Sequence, residues 1–102
     1  MNSCNFFGKV TDGPNLSTDH NGASSVTFEL ELEDFRRGSD GEKRRILTYI
    51  TLEAWDTAAI TIDKHASIGT LMSVEASVRS EDMEDWVYNY YRVNKFKILN
   101  NA

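Results

Sequence analysis

From Val26 to Glu33 apolar and polar side chains alternate: Val26, Phe28, Leu30 and Leu32 share one face, and Thr27, Glu29, Glu31 and Glu33 the other. A period of two marks an extended strand with one face buried, as in an antiparallel sheet. The same period predicts a short first strand around Phe6 to Val10. A third follows the Gly38-Ser39-Asp40-Gly41 interruption, with Ile46, Thr48, Ile50, Leu52 and Ala54 facing one way. A fourth carries Met72, Val74, Ala76 and Val78, and a fifth runs from Trp86 to Leu99. Asp12, Gly13, Pro14 and Asn21-Gly22 predict a loop between the first two strands, and Glu81 to Asp85 an acidic turn. Alternation fails between Asp56 and Ala66. There Asp56 is placed to cap a short helix carrying Ala58, Ala59 and Ile62, although Ile60, Thr61 and Ile62 are weak helix formers.

Three strands, a helix and two strands is the order of the OB-fold, an all-β, five-stranded Greek-key barrel whose exposed face and loops bind oligonucleotides or oligosaccharides. With 102 residues and 40% hydrophobic content, one domain spanning 1–102 is expected. No apolar stretch approaches the roughly 20 residues that cross a bilayer, and no basic region precedes an apolar one at the start. The single cysteine, Cys4, has no partner for an intrachain disulfide. A cytoplasmic protein without membrane contact is the expectation.

Charge complicates any reading as a nucleic-acid binder. The net charge is −5, whereas phosphate contacts call for Lys and Arg. The distribution is uneven, however. Residues 35–45 hold Arg36, Arg37, Lys43, Arg44 and Arg45 against Asp40 and Glu42, a net of +3, which leaves −8 on the remainder. A basic hairpin projects from an acidic body.

Several local patterns carry a family resemblance. Asn5-Phe6-Phe7-Gly8-Lys9-Val10, then Pro14, then Asn21-Gly22 precede the alternating strand; Phe35, Tyr49 and Trp55 stand where the second strand leaves for the hairpin, early in strand three and at its end. Asp56-Thr57-Ala58-Ala59 follows where a Gly-Lys-Leu-Ala type of sequence is common. Ile68-Gly69-Thr70 and Val74-Glu75-Ala76 stand in for Lys-Gly-Ser and Val-Glu-Gly. In this series the chain resembles the bacterial single-stranded DNA-binding proteins. The resemblance implies the OB barrel, a homo-oligomer of two or four subunits, and a setting in replication, repair or recombination. Many such proteins continue into a flexible linker with an acidic tip that recruits replication proteins. This chain stops at Asn100, Asn101 and Ala102, so a tail-less accessory, primosomal-like or phage or plasmid version is expected.

Sequence-tolerant binding of single strands needs flat aromatic platforms interleaved with cations. Phe35, Tyr49 and Trp55 are the first platforms, with Trp86 and Tyr88 on the last hairpin; Arg36, Arg37, Lys43, Arg44 and Arg45 would track phosphates, joined by Arg79, Lys9 and Arg92. Tyr49 and Trp55 lie out of phase with Ile46, Ile50 and Leu52, which points them away from the core. Trp86, Tyr88 and Tyr90 share one phase and Tyr91 and Val93 the other, so a bulge or an interface decides which set is buried. The Glu29, Glu31 and Glu33 row would repel a strand if it faced the same groove.

No enzyme is expected, and no cofactor. His20 and His65 stand apart with no metal-ligand spacing, no Gly-rich phosphate loop is present, and Glu81, Asp82, Glu84 and Asp85 fit no EF-hand. Two alternatives stand beside single-stranded DNA binding: a protein-interaction module of the replication machinery with weak nucleic-acid affinity, and an RNA-binding OB domain.

Overall fold

The computed structural model describes residues 1–100; Asn101 and Ala102, part of the chain end on which the tail-less reading rests, lie outside the described residues. The alternation in the sequence is realised as five strands and one helix: β1 Cys4–Thr18, β2 Ser24–Arg37, β3 Lys43–Trp55, α1 Asp56–His65, β4 Leu71–Asp82 and β5 Val87–Asn100. The strands close into a barrel in the order β1-β2-β3-β5-β4. Neighbours are antiparallel except β3 and β5, which pair in parallel through Leu52 with Tyr91 and Glu53 with Arg92. This is the Greek-key OB barrel with its helix between the third and fourth strands.

The inward positions are those the period of two selects. Val26, Phe28 and Leu30 of β2, Leu52 and Ala54 of β3, and Met72, Val74 and Ala76 of β4 are buried together with Val10 and Val93. Leu32 and Ile50 pack at the margin of this core, whereas Val78 is exposed where β4 outruns the barrel. Ala59 and Ile62 of α1 are fully buried and join the same core. In β5 the phase question is resolved by an irregularity: Ala76 faces Val93 but Glu75 faces Lys95, so Asn94 is an extra residue. Tyr91 and Val93 therefore point inward before the bulge, and Phe96 and Ile98 after it. Tyr88, Tyr90 and Arg92 are left on the outside.

Two expectations are corrected. The loop expected after Val10 is instead strand: β1 continues to Thr18, with register shifts between Val10 and Asp12 and between Asp12 and Asn15 absorbing Gly13 and Pro14 before pairing resumes at Asn15 with Thr27. Gly13 takes φ +81, and a Cβ there would lie 2.8 Å from the Thr27 carbonyl oxygen. Residues that usually end a strand here bend one. The turn itself is confined to Asp19–Ala23, where Asp19 Oδ1 accepts from the backbone N–H groups of Asn21 and Ala23. Asp56, expected as the helix cap, is the first helical residue; Trp55 holds the cap position with no side-chain capping bond. Asp56 has φ +57, a left-handed conformation that Asp tolerates better than most residues.

Both long hairpins extend past the barrel wall. The radius of gyration is 15.3 Å and the longest extent 56 Å, against about 13 Å for a compact chain of this length.

Candidate nucleic-acid interface

In an antiparallel pair, directly opposed residues point to the same side of the sheet. The register of β2 with β3 therefore defines one outward face, which carries Phe35 opposite Arg45, Glu33 opposite Leu47, Glu31 opposite Tyr49, Thr27 opposite Glu53 and Ser25 opposite Trp55. Phe35, Tyr49 and Trp55 thus share a face, spread over ten residues of β3 register, or about 33 Å at the usual strand rise. Phe35 and Tyr49 are half exposed or more, and Trp55 is half-buried.

The surface continues onto β5. The parallel pairing of Glu53 with Arg92 carries the outward face across the seam, and the Arg92 guanidinium lies 5.8 Å from the Trp55 ring centroid. Beyond it Tyr90 and Tyr88 stack with centroids 5.8 Å apart, and Trp86 meets Tyr88 edge-on at 5.9 Å. Arg79 of β4 pairs with Tyr90 on this side. Tyr90 belongs to this aromatic ladder, although the choice of Trp86 and Tyr88 omits it despite their shared period of two; Arg92 becomes central because of the parallel seam, which no local pattern reveals.

The basic hairpin is split by strand alternation. Arg37, Lys43 and Arg45 fall on the aromatic face with Phe35, whereas Arg36 and Arg44, opposed to each other, fall on the reverse face. Lys43 Nζ sits 4.3 Å from the centre of the Phe35 ring, a cation–π contact. The tip closes on itself: Asp40 Oδ1 accepts from the Glu42 N–H, Arg44 Nη2 donates to Asp40 Oδ2 at 3.0 Å, and Arg37 Nη1 donates to the Gly41 carbonyl at 2.6 Å. The Glu42 N–H bond, and then the Arg44 guanidinium, hold the Asp40 carboxyl below its ordinary pKa.

The acidic row lies on the same face as the rings. Glu31 Oε2 accepts from Tyr49 Oη at 3.1 Å, and this bond raises the Tyr49 phenol above its ordinary pKa. Glu33 Oε2 accepts from Arg45 Nε at 2.7 Å, Glu29 Oε1 from Thr11 Oγ1 at 2.8 Å, and Glu53 Oε1 from Trp55 Nε1. Lys9 Nζ stands 3.9 Å from Glu31 Oε1. The carboxylates are thus tethered among the rings and cations, and part of their charge is neutralised in place. Among the described residues no group of three His, Cys, Asp or Glu is arranged to hold a metal ion. No helix there is long and apolar enough to cross a membrane.

The family model described as the single-strand binding protein family matches residues 1–96. The chain belongs to that family. Its barrel is similar to solved members: a deletion mutant of the single-stranded DNA binding protein from Thermus aquaticus, at TM-score 0.88 and 18% identity, covers 98% of this chain, which spans 51% of that one. The Plasmodium falciparum SSB solved with ssDNA gives TM-score 0.85 and 20% identity over 98% of this chain and 96% of that one. A small single-stranded DNA-binding protein from Streptomyces coelicolor gives 0.69 and 17% over 94% and 92%. This single-strand binding chain therefore covers about half the length of the Thermus protein and nearly all of the other two. A comparison with curated proteins found no match.

Proposed function

We propose that the protein binds single-stranded DNA with little sequence preference, stacking bases on Phe35, Tyr49, Trp55, Trp86, Tyr88 and Tyr90. Phosphates are contacted by Arg37, Lys43, Arg45, Arg79 and Arg92, with Arg36 and Arg44 adding to the local field from the reverse face. The observation that carries this reading is the single outward surface that joins the β2–β3 face to the β5 ladder through Arg92 and Trp55. Bases stacked on such rings contribute on the order of 1–3 kcal/mol each, without regard to base identity. The role is binding without catalysis, in replication, repair or recombination in the cytoplasm, by a homo-oligomer that contacts replication proteins.

The chain has two tryptophans, Trp55 and Trp86, and both lie on this surface. Titration with oligo(dT) quenches their fluorescence, more strongly at low salt than at high salt. Absence of quenching at low salt by folded protein overturns the proposal. One observation favours a second reading: the acidic row shares the face with the platforms, as suits a module that docks proteins in preference to nucleic acid. Recovery of replication proteins by the immobilised chain, with no oligonucleotide bound under the same conditions, selects that reading. Preference for RNA over DNA of equal sequence selects the RNA-binding alternative.

A further inference from the structure

On the same outward face, where β1 passes β2, lies an open recess of about 290 Å³, small for a ligand pocket. Phe7, 60% exposed, lines it together with Glu31, Glu33, Lys9 and Arg45. Gly8 lets the two strands come this close, since a Cβ there would lie 2.5 Å from the Glu31 carbonyl oxygen. The lining thus combines one aromatic surface, two cations and two carboxylates.

The hydrogen bonding of the carboxylates gives the recess a chemical preference. Glu33 is held through Oε2 by Arg45 and Glu31 through Oε2 by Tyr49. Glu31 Oε1 is 3.9 Å from Lys9, beyond hydrogen-bond length. One oxygen of each group, Oε1 in both, is therefore without a hydrogen bond among the described residues. An ionised carboxylate only accepts. Cytosine offers its N4 amino group to such an acceptor, and guanine its N1–H and N2 amino group. Thymine presents one N–H between two carbonyl oxygens, whose lone pairs are repelled by the carboxylates.

Resting on the proposed binding of single strands, we infer that this recess is a base pocket that favours cytosine and guanine over thymine. Phe7 stacks on the base, Glu31 and Glu33 accept from its amino edge, and Lys9 and Arg45 hold the adjoining phosphates. The general stacking surface supplies sequence-tolerant affinity; the recess adds a bias at one nucleotide.

The test compares oligo(dC) with oligo(dT), each of about 12 nucleotides, within the span of one OB fold. The full chain binds oligo(dC) about fivefold more tightly, the discrimination of one base-edge contact. In the Glu31→Gln/Glu33→Gln double variant both strands bind more tightly because repulsion is relieved, and the ratio falls toward one. Glu33→Gln alone, at the more exposed of the two carboxylates, lowers the ratio in part and guards against a folding defect in the double variant. Phe7→Ala weakens oligo(dC) more than oligo(dT). Equal or tighter binding of oligo(dT) by the unaltered chain overturns the inference, as does a ratio unchanged in the folded Gln variants. Failure to bind either strand overturns the underlying function instead, so the two failures are distinct.

Discussion

At the scale of single residues, three groups on the proposed binding face are tied to acids. Tyr49 donates to Glu31, Arg45 to Glu33 and Trp55 to Glu53. Such contacts fix ring planes and guanidinium directions before a strand arrives, and they keep repulsive charge close to phosphate. The Tyr49 phenol gives a direct readout. Ionising it breaks the bond to Glu31 and adds a second negative charge, with Glu29 nearby also opposing and Arg45 favouring the phenolate. Its folded-state pKa is raised, so its contribution to stability is complete below about pH 10, the unfolded value, and is lost as pH rises through the folded value. A phenolate absorbance titration, taken as the difference between the unaltered chain and Tyr49→Phe, shows ionisation above that of free tyrosine; Glu31→Gln moves it back down. An unmoved titration shows that Glu31 does not govern this ring.

Among the elements, the β2–β3 hairpin divides its cations by alternation, and binding should follow that division. Lys43→Ala and Arg45→Ala, on the ring face, each lower the slope of log affinity against log salt by about 0.7, one single-strand phosphate contact. Arg36→Ala and Arg44→Ala, on the reverse face, change it less; equal effects from all four would mean that the strand wraps the arm. The α1 start makes a second prediction. Asp56 occupies φ +57 where the resemblance expects glycine, and the left-handed region costs a non-glycine residue about 1–2 kcal/mol. Asp56→Gly therefore raises stability by up to about 1 kcal/mol in urea unfolding, while Asp56→Val lowers it; a destabilised Gly variant refutes this account. These elements also mark what could be read beforehand. Val26 to Leu32 and the hairpin tip were legible because one-sided burial and turn chemistry are local. The course of β1 through Gly13 and Pro14, and the inward switch after Asn94, were not, because a bulge is set by the partner strand. The meeting of Arg92 with Trp55 depends on a parallel seam between distant segments, and the Phe7 recess on two strands passing side by side.

For the whole molecule, closure of the barrel depends on the short β3–β5 seam, where pairing is limited to Leu52 with Tyr91 and Glu53 with Arg92. Leu52 is fully buried there, so Leu52→Ala costs about 2–5 kcal/mol in denaturant unfolding. Because the same seam joins the two halves of the proposed binding face, the variant also weakens oligo(dT) where the protein remains folded; unchanged affinity would show that the halves work independently. The self-closed hairpin tip bears on how quickly a strand is caught. With Asp40 and the Gly41 carbonyl already engaging Arg44 and Arg37, the arm meets solvent as a stiff rod carrying positive charge ahead of an acidic body. Capture is then governed by electrostatic steering, with an association rate that falls steeply as salt is added and no slow ordering phase preceding the encounter.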